Sequence, residues 1–145
     1  MKITIETCKN IKETEIHIKC LQVDESLKKI IASLSLEDMK FAGYIENEIY
    51  FVSINDILYF EVVDGAIFFY TNGKTYASPL KLYKIEEAVA NTHFARISKT
   101  TIANLKKMIS IKKAENSRLV ATMVSGEKLI VSRQYVSEIK RKLGV

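Results

Sequence analysis

Two tight-turn dipeptides divide the middle of the chain into short strands. One is the Asp-Gly pair at residues 64–65 and the other is the Asn-Gly pair at residues 72–73. Such pairs favour the two-residue loops that reverse the chain in β-hairpins. The runs on either side of them are rich in aromatic and β-branched residues, which favour strands. Residues 57–78 are therefore predicted to form a three-stranded antiparallel meander.

Other short runs extend this pattern, and helical spacing is found in only a few places. Strands are predicted at residues 48–52, 94–97, 108–111, 118–124 and 129–131. Apolar residues at helical spacing follow Pro79 and, later, Ser132, which is a favourable N-cap residue. They are Leu82, Ile85 and Val89 in the first helix and Val136, Ile139 and Leu143 in the second. The fold class predicted is mainly β (α+β), antiparallel, with short helices.

The first forty residues are predicted to form a small β-β-α segment. Residues 3–7 and 15–19 alternate apolar and polar side chains with a period of two, as half-buried strands do. Asp24 is a good N-cap for a following helix whose apolar residues are Leu27, Ile30, Ile31 and Leu34. A boundary at residues 35–40 separates this segment, a candidate for dimerisation, from a domain at residues 41–145.

Basic residues are concentrated at one end of the sequence. Residues 96–145 contain twelve Lys and Arg against three Glu, whereas residues 45–95 contain three basic and seven acidic residues. The overall formal charge of +5 therefore hides a strongly basic C-terminal part. Because these cations lie within predicted strands and helices, they indicate a folded surface for a polyanion, which is nucleic acid or an anionic membrane.

Several classes of function are not favoured by the sequence. It contains no nucleophile elbow, phosphate-binding loop, dinucleotide fingerprint or zinc-protease motif, so we predict that the protein is not an enzyme. Two His and two Cys without ligand spacing argue against a metal site, and no cofactor or small-molecule substrate is indicated. Cys8 and Cys20 are expected to be reduced and partly buried. The absence of an apolar signal-like start favours the cytoplasm.

Two basic segments combine cations with hydrogen-bonding side chains. In residues 94–111 the cations stand among hydroxyl and amide residues, which suits phosphate and base-edge contacts. In residues 129–143 a helix that begins after Ser132 offers free backbone N–H groups to an anion. Arg133 and Gln134 in its first turn match guanine and adenine edges. The alternative is that each cation only pairs with a carboxylate or improves solubility.

These same segments resemble a known family. FARISKTTIANLKKM, followed by GEKLIVSRQYVSEIK, is similar to the LytTR DNA-binding domain, as is the earlier ILYFEVVDGAIFFYTNGKTYASPLKLYKIEE. The resemblance covers about residues 43–144. It implies antiparallel β-sheets in an elongated arrangement that binds two successive major grooves through loops. It also implies a stand-alone regulator, a subgroup often linked to a small membrane protein, since residues 1–40 are too few for a receiver domain.

The resemblance assigns roles to individual residues. Base contacts are implied for Lys99, Arg133, Gln134 and the loop of Val63, Asp64 and Gly65. Together with the basic pattern, the resemblance predicts a further set of residues that contact phosphate. They are Arg96, Ser98, Thr100, Lys106, Lys107, Arg118, Lys140, Arg141 and Lys142. Asn104, Ser132 and Tyr135 are expected to support the loops. Two departures from the family pattern are Ser98, where many members have His, and the acidic Asp64.

The hypothesis that follows is a sequence-specific regulator that binds double-stranded DNA as a homodimer on repeated half-sites. An RNA-binding or protein-interaction module with the same basic surface is the alternative. RNA readers stack bases on exposed aromatic residues of a sheet. The candidates for that role are Tyr59, Phe60, Phe68, Phe69 and Tyr70. A membrane-surface protein is a third reading, but the sequence lacks the large amphipathic helix that such binding prefers.

Overall fold

The computed structural model describes residues 1–36 and 39–145. Within those ranges the chain forms ten strands, three α-helices and three short 3-10 helices. The α-helices are α1 (Glu25–Leu36), α2 (Leu82–Ala88) and α3 (Arg133–Leu143). The strands are β1 (Lys40–Ile45), β2 (Glu48–Ser53), β3 (Tyr59–Val63), β4 (Ala66–Tyr70), β5 (Thr75–Ser78), β6 (Phe94–Arg96), β7 (Thr101–Asn104), β8 (Met108–Lys113), β9 (Leu119–Met123) and β10 (Lys128–Val131). The 3-10 helices are Ile54–Asp56, Leu105–Lys107 and Glu115–Ser117.

The strands form two antiparallel sheets. The larger has the order β2-β1-β5-β4-β3-β7-β6 and the smaller the order β10-β9-β8. Adjacent strands in both sheets are antiparallel, so the predicted mainly β class is confirmed. The predicted meander is also confirmed as β3, β4 and β5. Val63 pairs with Ala66, and Asp64 and Gly65 between them both have positive φ, as a type I′ turn requires.

The first hydrophobic core lies between the large sheet and α2. Phe60 and Phe69 are cross-strand partners, both fully buried, and Ile85 of α2 packs into the same cluster. Gly43 in β1 makes room for the ring of Phe69, because a Cβ there would lie 2.5 Å from the ring. This close approach explains a glycine inside a strand, where its conformational freedom is otherwise costly.

A second core joins the small sheet, the β3-β7-β6 side of the large sheet and α3. Ala103 of β7, Ala121 of β9 and Ile139 of α3 are all fully buried in it. The Tyr59 hydroxyl also donates a hydrogen bond to Glu127, in the turn between β9 and β10. Burial, followed by this hydrogen bond, raises the pKa of Tyr59, so the phenol stays protonated. These contacts fix α3 relative to both sheets.

The predicted strands at residues 3–7 and 15–19 are wrong. Residues 1–24 contain no strand, and Ile3, Ile5 and Ile16 are 79%, 86% and 62% exposed. Alternation produces a strand only where a neighbour supplies ladder hydrogen bonds and a second layer covers the apolar side. A lone hairpin has neither and is marginal in water. Cys8 and Cys20 lie in this segment as exposed free thiols, so the prediction of partial burial is also wrong.

The predicted helix of the N-terminal segment is confirmed as α1. Asp24 is its N-cap residue, because the Leu27 N–H donates to Asp24 Oδ1 over 2.8 Å. The predicted boundary at residues 35–40 includes residues 37 and 38, which lie outside the described residues. None of the helices in the described part of the chain has the length and apolar character that a membrane crossing requires.

Candidate nucleic-acid interface

The loop between β6 and β7 presents Lys99 at its tip. Arg96 pairs with Ile102, and the Ile97 N–H donates to the Thr101 carbonyl over 3.0 Å, so the hairpin closes tightly. The Thr100 N–H donates to Ser98 Oγ over 3.2 Å, which orders the turn from within. Because these bonds use backbone groups and short side chains, the exposed Lys99 side chain remains available to a ligand.

The start of α3 lies directly beside this loop. The backbone N–H of Ser132 donates to the Ile97 carbonyl over 2.8 Å. Ser132 has the extended backbone of an N-cap residue, although its side chain makes no capping hydrogen bond. Arg133 and Gln134 follow in the first turn and are exposed. One open depression of about 450 Å³ is lined by Ser98, Lys99, Thr100, Ser132, Arg133 and Gln134.

The turn between β3 and β4 reaches the same end of the molecule. The Val62 N–H donates to the Thr100 carbonyl over 2.9 Å, which places the exposed Asp64 and Gly65 just beyond the β6–β7 loop. These two residues do not line the depression. We call the loops at residues 63–65, 98–100 and 132–134 together the three-loop end. All three segments predicted to contact bases lie there.

Arg96 is held by contacts within the protein. Its Nε and Nη2 donate to the two carboxylate oxygens of Glu86 over 3.0 and 3.4 Å. Its Nη1 donates to the Lys99 carbonyl over 2.6 Å. The Arg96 side chain is 19% exposed. Its predicted phosphate contact stays a prediction, but most of its guanidinium donors already have partners.

Asn104 and Tyr135 have the geometry of supporting residues. Asn104 is 1% exposed, its Nδ2 donates to the Ile57 carbonyl over 2.9 Å, and its Oδ1 accepts from the Lys106 N–H over 3.1 Å. Both ends of the amide are therefore used inside the protein. Tyr135 is half-buried and packs against the second core.

Lys106 and Lys107 lie away from the three-loop end. They follow β7, whereas the Lys99 loop precedes it, and four residues of strand separate the two points by roughly 13 Å. Their neighbour there is His93, whose carbonyl accepts from the Leu105 N–H over 2.8 Å. Burial, and then the charges of Lys106 and Lys107, lower the pKa of His93 to about 4. The imidazole is therefore neutral at pH 7.

Of the other cations in the basic C-terminal part, some lie at the three-loop end and others lie away from it. Leu119 pairs with both Val131 and Lys113, so Arg118 and Lys113 lie near Ser132 at the three-loop end. The sequence prediction missed Lys113, and its position next to Arg118 follows only from the strand register. The last turn of α3 lies about 10 Å further along that helix. It carries Lys140, Arg141 and Lys142, and Glu138 pairs with the latter two.

Within the described ranges, no group of three or more His, Cys, Asp or Glu side chains is placed to hold a metal ion.

Replacing Asn104 by Ala should lower the free energy of unfolding by about 1–3 kcal/mol, because it removes the partner of the buried Ile57 carbonyl and that of the partly buried Lys106 N–H. Asn55→Ala is a matched control, since Asn55 is exposed at another 3-10 helix and its hydrogen bond with Ser53 Oγ uses the backbone N–H of Asn55. The control should change stability by less than about 0.5 kcal/mol. Urea unfolding measures both, and equal losses would contradict a supporting role for Asn104.

Comparison with known proteins identifies this architecture. A sequence model described as the LytTr DNA-binding domain matches residues 47–144. The sensory transduction protein LytT of Bacillus anthracis is 31% identical over 142 residues, covering 98% of this chain and 55% of that protein. The chain thus spans about half the length of that relative. An uncharacterized HTH-type transcriptional regulator of Staphylococcus aureus is 25% identical over 147 residues, covering 100% of this chain and 99% of that protein.

A solved structure shares the fold. The LytTr DNA-binding domain from Bacillus cereus superimposes with a TM-score of 0.69 at 21% identity, covering 73% of this chain and 97% of that chain. The stretch matched by the family model, residues 47–144, holds the small sheet, most of the large sheet and the whole three-loop end. This chain belongs to the LytTR family of DNA-binding domains.

Proposed function

We propose that this chain is a transcription regulator that recognises specific sequences in double-stranded DNA within the bacterial cytoplasm. The observation that carries the proposal is the meeting of Lys99, Arg133 and Gln134 around one open depression. The side chains of two separate loops converge there, and backbone hydrogen bonds hold the two loops together. Residues that read DNA need such fixed positions, because a base edge offers donors and acceptors at defined points.

Lys99 and Arg133, the two cations that line the depression, differ from Arg96 in having no ion pair among the described residues. Arg133 is therefore free to place two N–H donors on the O6 and N7 atoms of guanine. Gln134 matches the N6 and N7 atoms of adenine in the same way. We infer that Lys99 contacts a guanine in the adjacent part of the major groove.

The turn of Asp64 and Gly65 is proposed to enter a second, successive major groove. It extends past the depression at the tip of the β3–β4 hairpin. A carboxylate accepts from the N4 amine of cytosine, and this contact suits Asp64. Gly65 has no side chain and lets the backbone approach the DNA closely. Such an acidic contact would disfavour sites without cytosine at that position.

Phosphate contacts would supply most of the affinity. Arg118 and Lys113 flank the three-loop end, and Ser98 and Thr100 offer hydroxyl donors there. Five further cations extend the basic surface away from that end: Lys106, Lys107, Lys140, Arg141 and Lys142. Each cation that neutralises a phosphate releases a counterion from the duplex. We propose that this set grips the backbone on either side of the bases being read.

Selection of sites from random duplex DNA, followed by binding isotherms at several salt concentrations, tests this function. Six phosphate contacts give a slope of log K against log salt of about −5. Single-stranded RNA of matched length should compete poorly for the selected duplex. A salt-insensitive isotherm, or RNA that competes as well as the duplex, would contradict the proposal.

RNA stacking has little support from the aromatic residues of the sheet. Tyr59, Phe60 and Phe69 are 5%, 0% and 0% exposed, so these rings cannot receive bases. Phe68 and Tyr70 are half-buried, and Tyr70 also packs against the second core. The buried aromatic residues thus belong to the two cores. Double-stranded DNA remains the partner that the three-loop end suits best.

Arg133→Ala should reduce affinity for the selected duplex by about 1–3 kcal/mol and affinity for random duplex by much less. The reason is that a bidentate contact with a base distinguishes sequences, whereas a contact with phosphate does not. Lys40→Ala, which removes an exposed cation from β1, is the control and should leave both affinities nearly unchanged. Fluorescence anisotropy measures both duplexes. Equal losses on the two would reassign Arg133 to a phosphate.

A homodimer is proposed to bind repeated half-sites. Tyr44 pairs with Ile49 across β1 and β2, and Phe51 lies on the same face. They are 38%, 53% and 71% exposed. This apolar patch is small against the roughly 800 Å² per partner of a standard interface. We propose that it packs against the same patch of a second copy and that residues 1–36 contribute the remaining surface. A small membrane protein as a further partner is also a proposal.

Phe51→Lys should weaken the dimer roughly tenfold or more, because it places a charge in an apolar interface. Ile109→Lys is the matched control, since Ile109 is 65% exposed on β8, an edge strand of the other sheet. Sedimentation equilibrium measures the dissociation constants. A wild-type protein that is monomeric at micromolar concentration, or equal losses in both variants, would contradict this arrangement.

A further inference from the structure

We propose that Glu86 and Arg96 form a clamp that positions the Lys99 loop and thereby sets the preference for specific over random DNA. This inference rests on the proposed DNA-binding function. It assigns Glu86 a role and changes the role of Arg96 from phosphate contact to positioning residue. Neither residue needs to touch DNA in this arrangement.

The anchor of the clamp is α2. Leu82, Ile85 and Val89 of this helix and its C-cap are buried in the first core, at 7%, 0% and 2% exposure. Glu86 lies on the other side of the helix, where its side chain is 48% exposed. Because the buried face holds the helix in place, the backbone of Glu86 is anchored, and its carboxylate extends from there to Arg96. It receives two N–H groups of Arg96, a fork geometry that lysine cannot reproduce.

The third donor of Arg96 reaches the tip of the loop. Its Nη1 donates to the carbonyl of Lys99 itself, over 2.6 Å. The flanking residues are held separately, Ile97 by the Ser132 N–H and Thr100 by the Val62 N–H. Arg96 is thus the side chain that ties down the residue whose own side chain is proposed to contact a base. Hydrogen bonds from a charged donor are stronger than neutral ones and suit this function.

The clamp and a phosphate contact predict opposite results when Glu86 is changed. If Arg96 gripped phosphate, Glu86→Gln would release a cation and strengthen binding to any duplex. If Arg96 positions the loop, the same change loosens Lys99 and weakens binding only where bases are read. Arg96→Lys separates the two further, because it keeps the charge and loses the fork.

The test compares Glu86→Gln and Arg96→Lys with Glu87→Gln. Glu87 is the next residue on α2, it pairs with Lys84 at 3.7 Å, and its replacement changes the charge by the same amount. Affinities are measured on the selected duplex and on random duplex, with salt slopes for each. We expect both clamp variants to lose roughly tenfold on the selected duplex, with random binding and salt slope nearly unchanged. Glu87→Gln should leave the ratio of the two affinities as it is.

Two outcomes of the binding measurements overturn the clamp. One is a gain in affinity for both duplexes in Glu86→Gln together with full retention of selected binding in Arg96→Lys. The other is an equal loss on both duplexes, which marks a general structural effect. Amide hydrogen exchange of the free protein separates failure of the clamp from failure of DNA binding. Faster exchange at Ser98 and Thr100 in Glu86→Gln than in Glu87→Gln supports the clamp even if no duplex binds, and unchanged exchange contradicts it.

Discussion

The hydrogen bond from the Ser132 N–H to the Ile97 carbonyl is the contact on which the proposed interface depends. It joins the end of β10 in the small sheet to the end of β6 in the large one. Without it, the first turn of α3 and the β6–β7 loop would belong to separate sheets, which are also joined by the apolar packing of the second core and, at a different place, by the Tyr59–Glu127 hydrogen bond. Apolar packing excludes water but has little directionality. The backbone bond supplies the direction that side chains need if two loops are to read adjacent base edges.

The basic residues divide according to what already holds them. Arg96 uses its guanidinium on Glu86 and the Lys99 carbonyl, whereas Lys99 and Arg133 have no ion pair among the described residues. Net charge alone therefore overstates how many cations are ready for DNA. A cation that pairs within the protein can still affect recognition if it fixes the position of a neighbouring cation that has no ion pair. If the proposed function holds, affinity and specificity are carried by different members of one basic segment.

Local features of the sequence predicted local structure well. The Asp-Gly turn and the cap at Asp24 follow from backbone chemistry within a few residues, and both lie where predicted. Contacts between distant residues were not predictable in the same way. Glu86 and Arg96 are ten residues apart, and nothing in their spacing selects that pair over Glu87. The strand prediction for residues 3–7 failed for a related reason. Alternation of apolar and polar residues defines an apolar face, but it does not supply the neighbouring element that would cover that face.

Symmetry limits how a dimer can use the proposed apolar patch. Antiparallel pairing of β2 with β2 of a second copy needs a twofold axis perpendicular to the sheet, which points the two three-loop ends in opposite directions. Packing the patch face to face allows an axis along the strands, and both ends then point the same way. Since β7 lies five strand spacings from β2, equivalent loops are at most roughly 48 Å apart. That reach accommodates half-sites one helical turn apart, about 34 Å, but not two turns.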